Sequence, residues 1–306
     1  MKLIKAFLQL IRLPNLVFIA ITQVIFLYCI EKPLFAETYT MANLQGVYFL
    51  LLVVVSICIA AAGNIINDYF DVKIDSINKP HKVIVQKIIS KNWVVVWYIL
   101  LNIVGLALSF FIENKTNIRF IGFANSIAVL TLFFYAAYFK KQFLIGNIFI
   151  ALLSAWVILI ITFCEVENNS ISNKATFYKL SLLYAGFAFI ISLIREMIKD
   201  MEDVKGDEQF GCKTIPIVLG LYATKIIVLV LVIIMIAILL IVPYYLLQFA
   251  WQFWISLLYF IVLVIAPLIW IAFKLLKANT PQSFHQLSTI VKMVMLTGIL
   301  SMLFFS

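Results

Sequence analysis

Nine windows of about 20 mainly apolar residues, the length that crosses a bilayer as a helix, run through this 306-residue chain. They fall at roughly 13–30, 45–66, 92–112, 120–138, 143–163, 177–195, 219–242, 254–273 and 286–304. A mean hydropathy of +1.11, with 65% hydrophobic and 12% charged residues, excludes a soluble domain, whose surface has to face water. In hydrocarbon, backbone polar groups must be satisfied within the chain, and long apolar runs do this as helices. The expected fold is therefore all-α, an integral membrane protein of nine transmembrane helices. Short connections leave no room for a second domain, so residues 1–306 read as one polytopic domain.

The flanks add topology. Near the N-terminus, Leu3, Ile4, Phe7, Leu8 and Ile11 share a helical face, with Lys2, Lys5 and Arg12 mostly off it. That pattern predicts a helix lying at the membrane surface before the first span rather than a cleaved signal. With the N-terminus inside, seventeen Lys and Arg lie in inside segments, five lie outside and Lys292 lies within the last span. The positive-inside rule thus predicts a cytoplasmic N-terminus and an external C-terminus, in a cell inner or plasma membrane. It also accounts for the net charge of +9, so nucleic-acid binding is not inferred. Cys29, Cys58, Cys164 and Cys212 lack paired spacing and read as packing residues. His81 and His285 read as exposed loop residues.

Against this apolar background, nine of the fourteen acidic residues fall in two short stretches. Asn64, Asp68, Asp71 and Asp75 follow one another by four, three and four residues, and so do Glu196, Asp200, Asp203 and Asp207. Such steps stack side chains on one helix face. Both stretches end long apolar spans, and both fall on the cytoplasmic side. Clustered carboxylates near lipid repel one another and need neutralising. Mg²⁺ suits them, being held by one or two carboxylates together with phosphate oxygens and water. Lys82, Lys140, Lys141, Arg195, Lys199 and Lys213 lie on the same side and supply phosphate-binding cations. Acids and bases together fit a metal–diphosphate complex better than a bare cation. The expectation is two facing acidic rows, each with one Mg²⁺, at the inner rim.

These residues resemble a known family, the UbiA-type intramembrane prenyltransferases. Asn64, Asn67, Asp68, Asp71 and Asp75, trailed by Asn78 and Pro80, resemble its NDxxDxxxD signature. Asp200, Asp203 and Asp207, continuing through Gly211, Lys213, Thr214, Pro216 and Gly220, look like its second acidic element and the segment after it. Tyr135, Tyr138, Lys140 and Lys141, followed by Gly146 and Asn147, are similar to its connection between spans four and five. The family usually carries an Arg-Pro pair and a Pro-Ser-Gly turn after the first signature. Here the run is His81 to Lys87, so Lys82 keeps a charge without the fork of arginine.

The resemblance implies nine helices around a central cavity and Mg²⁺-dependent transfer of a prenyl group from an isoprenyl diphosphate to a lipophilic acceptor. It makes Asn64, Asp68, Asp71, Asp75, Asp200, Asp203 and Asp207 metal ligands. Asn67, Lys82, Lys140, Lys141, Arg195, Lys199 and Lys213 become substrate-binding residues. Tyr135, and after it Tyr138, would face the allylic cation. Small residues in span five (Ala151, Ser154, Ala155) suit either close helix packing or room for the prenyl tail. The second stretch looks most like the branch that adds a geranylgeranyl chain to geranylgeranylglyceryl phosphate, and aromatic acceptors remain the alternative. A cation-coupled transporter is a more distant reading, because transporters place such acids near the midplane. Oligomeric state is not legible.

Overall fold

The computed structural model describes residues 2–36, 44–81, 83–116, 118–165, 174–246 and 250–305. Among the described residues the regular elements are helices, apart from an isolated bridge between Val85 and Ile89. Helix α1 (Lys2–Leu10) leads into α2 (Leu13–Phe26), which passes through a π turn (Leu27–Glu31) into α3 (Lys32–Ala36). There follow α4 (Gly46–Asn78), α5 (Lys91–Thr116), α6 (Ile121–Ala137), α7 (Ile145–Cys164) and α8 (Lys174–Gln209). The chain closes with α9 (Ile215–Leu246), α10 (Ala250–Phe260), a second π turn (Ile261–Ile265), α11 (Ala266–Lys277) and α12 (Pro281–Leu300).

Among the described residues, eight of the expected spans are long and apolar enough to cross a membrane. The other, α6, has 17 residues, which is about 26 Å of helix against about 30 Å of hydrocarbon. The integral membrane, all-helical class therefore holds, whereas a count of nine full-length spans does not follow. By contrast, α4 has 33 residues and α8 has 36. Each is about 50 Å or longer and projects past the hydrocarbon by several turns. Both acidic stretches sit toward the C-terminal ends of these two long helices.

Two compact units can be described separately. The first comprises Met1–Val24, Leu34–Lys140 and Val157–Tyr178; the second comprises Ile25–Pro33, Lys141–Trp156 and Lys179–Ser306. In the first unit α4 packs against α5 and α6. A Cβ at Gly105 would lie 3.2 Å from the Ile59 side chain, so a glycine there lets α5 sit close to α4. Asn125 donates to Ser109 Oγ at 3.0 Å, a polar tie between α5 and α6. At one end, Ala6, Leu10 and Ile11 bury themselves with Ile65 of α4 and with Ile84, Val85 and Ile89. Ile84, Val85 and Ile89 thus form an apolar hook packed against α1. Gln86 takes the left-handed backbone (φ 69°) at its tip.

The expectation for α1 is refined. Ile11 is buried and Phe7 half-buried, whereas Leu3, Ile4 and Leu8 are exposed. The helix offers one apolar side to the protein and another outward, as a membrane-surface helix would.

In the second unit, α8, α9, α11 and α12 share a core that includes Met197, Val228, Leu268, Phe284 and Val291. Gly220 (φ 83°, ψ 160°) interrupts α9, so Ile215–Leu219 is a separate turn before the span proper. Glycine tolerates that conformation without the steric cost of a Cβ. Ala151 and Ala155 of α7 are buried, and Ser154 Oγ lies 2.7 Å from Ser192 Oγ on α8. The small residues of span five therefore serve close helix packing. All four cysteines are buried. His285 is not a loop residue: it stands in the first turns of α12, 3.0 Å from Glu202 of α8. His81 is exposed in a turn.

Candidate active site

The first acidic stretch occupies the projecting end of α4, in the first unit. Asp68 Oδ1 accepts from Arg12 Nη2 at 2.6 Å, although Arg12 is 56 residues earlier in the chain. Asp71 Oδ1 accepts from Lys140 Nζ at 2.5 Å, and Asp71 Oδ2 accepts from Asn67 Nδ2 at 2.8 Å. Lys140 Nζ also donates to Asn67 Oδ1 at 3.2 Å, which closes a triangle around Asp71. One turn earlier, Asn64 Nδ2 donates to the Ile11 carbonyl at 3.0 Å. These side chains meet because steps of three and four residues keep Asn64, Asn67, Asp68 and Asp71 on adjoining strips of one helix.

Arg12 occupies the joint between α1 and α2, in the left-handed region (φ 54°). Burial opposes its charge, but Asp68, backed by Asp71 and Asp75, more than offsets this and raises its pKa above the ordinary value. The guanidinium stays charged. Asp68 and Asp71 are partly covered, with side chains 19% and 15% exposed, so these pairs are better shielded than ordinary surface pairs.

The second stretch occupies the projecting end of α8, in the second unit. Asp200 Oδ2 accepts from Asn147 Nδ2 of α7 at 2.8 Å. Glu196 is held by its neighbours: Arg195 Nη1 lies 3.0 Å and Lys199 Nζ 2.9 Å from its carboxylate. Asp203 and Asp207 are half-buried. The chain then turns back, with the Cys212 amide on the Asp207 carbonyl and the Lys213 amide on the Lys141 carbonyl at 2.7 Å. That last bond fixes the segment carrying Lys213 to the connection carrying Lys141.

The expected site residues therefore gather in two groups. Asn64, Asn67, Asp68, Asp71, Asp75 and Lys140 belong to the first unit, with Tyr135 half-buried near the end of α6. Lys141, Arg195, Lys199, Asp200, Asp203, Asp207 and Lys213 belong to the second. Lys82 lies outside the described residues. Arg195 and Lys199 are already engaged by Glu196, so an anion would compete with that carboxylate. Two residues were not expected as site members. Arg12 entered the sequence argument only as a topology charge; its signal is a basic residue at the joint of a surface helix and a span. Asn147 entered the sequence argument only within the resemblance to the family's connection between spans four and five, without a site role.

Mg²⁺ is the group this donor set suggests, and the chemistry fits. The donors are hard oxygens, and Asn67 and Asn147 orient carboxylates as outer partners of a metal site do. Among the described residues no three His, Cys, Asp or Glu side chains converge to cage an ion by themselves. Mg²⁺ does not demand such a cage, since it keeps waters and takes phosphate oxygens.

Comparison with known proteins agrees. A digeranylgeranylglyceryl phosphate synthase of Korarchaeum cryptofilum is 32% identical over 247 residues, covering 79% of this chain and 80% of that protein. One from Methanosphaera stadtmanae is 29% identical over 272 residues, covering 87% and 92%. The solved structure of a digeranylgeranylglyceryl phosphate synthase superposes with a TM-score of 0.64 at 26% identity, covering 99% of both chains. A UbiA homolog from Archaeoglobus fulgidus, solved with GPP and Mg²⁺, superposes with a TM-score of 0.60 at 15% identity, covering 97% of this chain and 99% of that one; this likeness speaks for the fold. The model of the UbiA prenyltransferase family matches residues 24–295, a range that includes both acidic stretches. The chain belongs to the UbiA prenyltransferase family, and it is a membrane prenyltransferase.

Proposed function

We propose that this chain transfers a geranylgeranyl-type prenyl group from its diphosphate to the free hydroxyl of geranylgeranylglyceryl phosphate, in a Mg²⁺-dependent reaction. One observation carries the chemistry: two acidic stretches of equal spacing on projecting helix ends, each interleaved with cations and amides. The names of the relatives support the acceptor.

Asp68, Asp71 and Asp75, with Asn64 assisting, hold one Mg²⁺, and Asp200, Asp203 and Asp207 hold a second. When bound, the metal ions neutralise the diphosphate and stabilise the charge it gains as the allylic C–O bond breaks. Lys140, Lys141 and Lys213 bind diphosphate oxygens, joined by Lys82, Arg195 and Lys199. Asn67 fixes Asp71, and Asn147 fixes Asp200. Tyr135 offers a π face to the allylic cation and helps keep water from it. The acceptor hydroxyl oxygen bonds to the allylic carbon as that carbon's bond to the diphosphate breaks, and the hydroxyl proton leaves with the released diphosphate. The positive-inside count puts this chemistry on the cytoplasmic side of the membrane.

The test offers labelled geranylgeranyl diphosphate to membranes carrying the chain, with geranylgeranylglyceryl phosphate or phenolic acceptors, and weighs the products. An ether-linked product that forms with Mg²⁺ and disappears with EDTA is expected. Prenylation of phenolic acceptors alone would overturn the acceptor assignment.

A further inference from the structure

Arg12 lies outside both acidic stretches, 56 residues before Asp68, yet it makes the ion pair on Asp68. Its surroundings show that the joint at residues 11–12 is tied to α4 twice. The backbone is tied through Asn64 to the Ile11 carbonyl, and the side chain is tied through Asp68. Asn64 and Asp68 are one helical turn apart, so both ties reach the same acidic face. The joint is fixed further by the Asn15 amide on the Arg12 carbonyl at 2.8 Å and the Arg12 amide on the Gln9 carbonyl at 3.1 Å. A left-handed backbone at an arginine is disfavoured. It persists here because several bonds and the buried contacts of Ala6, Leu10 and Ile11 hold it.

The consequence is a division of labour. The backbone tie does not depend on the guanidinium, so the side chain is able to leave Asp68 without releasing α1. That side chain is 36% exposed, which leaves it space to move. In the metal-free chain, Arg12 and Lys140 offset the carboxylates of Asp68 and Asp71. A divalent cation on Asp68 would place two positive groups on one carboxylate, and like charges at that range repel. A diphosphate on the same metal ion brings anionic oxygens into the neighbourhood, and a guanidinium binds these well, in pairs.

Resting on the metal reading above, we infer that Arg12 is an anion-binding residue of the prenyl diphosphate site, holding Asp68 in the metal-free enzyme and passing to the diphosphate once the cation occupies that carboxylate. Arg12 thereby opposes metal binding when substrate is absent and favours substrate when metal is present. The surface helix that carries it becomes part of the site.

The test measures Mn²⁺ binding to the purified full-length chain by electron paramagnetic resonance, without prenyl diphosphate, and separately the KM for geranylgeranyl diphosphate. Asp68→Asn identifies the signal from the first cluster and should remove it. Arg12→Gln should bind Mn²⁺ about two- to fivefold more tightly at that site, the scale of a partly exposed ion pair. The same variant should raise the KM about tenfold, the scale of a charge-assisted hydrogen bond. Arg12→Lys keeps the charge without the fork, so it should bind Mn²⁺ like the wild type while raising the KM less. Unchanged or weaker Mn²⁺ binding in Arg12→Gln, in protein that melts like the wild type, overturns the inference. So does an unchanged KM. If the wild type shows no Asp68-dependent Mn²⁺ signal at all, the metal reading fails, and this inference fails with it.

Discussion

The two acidic stretches share a spacing and differ in what neutralises them. On α4, Asp68 and Asp71 are paired with Arg12 and Lys140, cations that lie 56 and 69 residues away in the chain. On α8, Asp200 takes a neutral amide from Asn147, and the cations Arg195 and Lys199 come from α8 itself and serve Glu196. The first row is therefore balanced by the tertiary fold and the second partly by its own sequence. Spacing decides which side chains share a face, and the fold decides which charges they meet. A cation brought from a distant segment is free of the helix that it neutralises, so a ligand is able to draw it away. A cation one turn along the same helix competes continuously with any ligand for its neighbour.

Several substitutions would break or sharpen that contrast. The largest effect is expected from Asp68→Ala and Asp203→Ala, which remove a proposed metal ligand from each row. Each should lower turnover by about 100-fold or more, the loss expected when charge stabilisation on the leaving group is removed. Turnover near the wild type in either variant, assayed in membranes with Mg²⁺ and geranylgeranyl diphosphate, would show that the rows are not equivalent. Next comes Lys140→Met, which frees Asp71 from its cation. The KM for prenyl diphosphate should rise about tenfold while the fold persists. A lower KM would mean that Lys140 only guards Asp71.

Asn67→Leu and Asn147→Leu ask whether the outer amides matter equally. Each should weaken Mn²⁺ binding about tenfold, the lower end of what loss of an outer-shell partner costs. An effect confined to Asn67→Leu would place the amide requirement in the first row alone. The smallest effect is expected from Arg195→Gln. Because Glu196 already holds this cation, the KM should change by less than about threefold, the scale of a weak ion pair. A loss as large as that of Lys140→Met would instead mean that Arg195 leaves Glu196 and contributes to diphosphate binding as much as Lys140 does.

Much of the architecture was legible because lipid leaves a chain few choices. The apolar windows from 13–30 to 286–304 correspond to helices one by one, since in hydrocarbon a helix satisfies its own backbone. The acidic rows were legible because steps of three and four residues fix a face whatever the surroundings. Less visible was α6, whose 17 residues fall short of the usual length. The hook at Ile84, Val85 and Ile89 reads as a loop until α1 is seen lying against it. His285 looked like a loop residue because its neighbours are polar, yet Thr280 and Ser283 form a capping box that starts α12 just before it. That Arg195 and Lys199 pair with Glu196 was not legible, because spacing along a helix does not fix which way each side chain turns.

By itself the sequence determined the class of the molecule, the places of its spans, the membership of both acidic rows and the family to which they point. Each of these follows from local rules, namely helix periodicity, apolar length and motif spacing, which act over a few turns. Tertiary structure alone decided that Arg12 meets Asp68, that Lys140 and Asn67 enclose Asp71, and that Asn147 reaches Asp200. Those partners lie on other helices or connections, or turn on side-chain direction. Only packing settles which of the many basic and amide groups arrives within hydrogen-bonding distance.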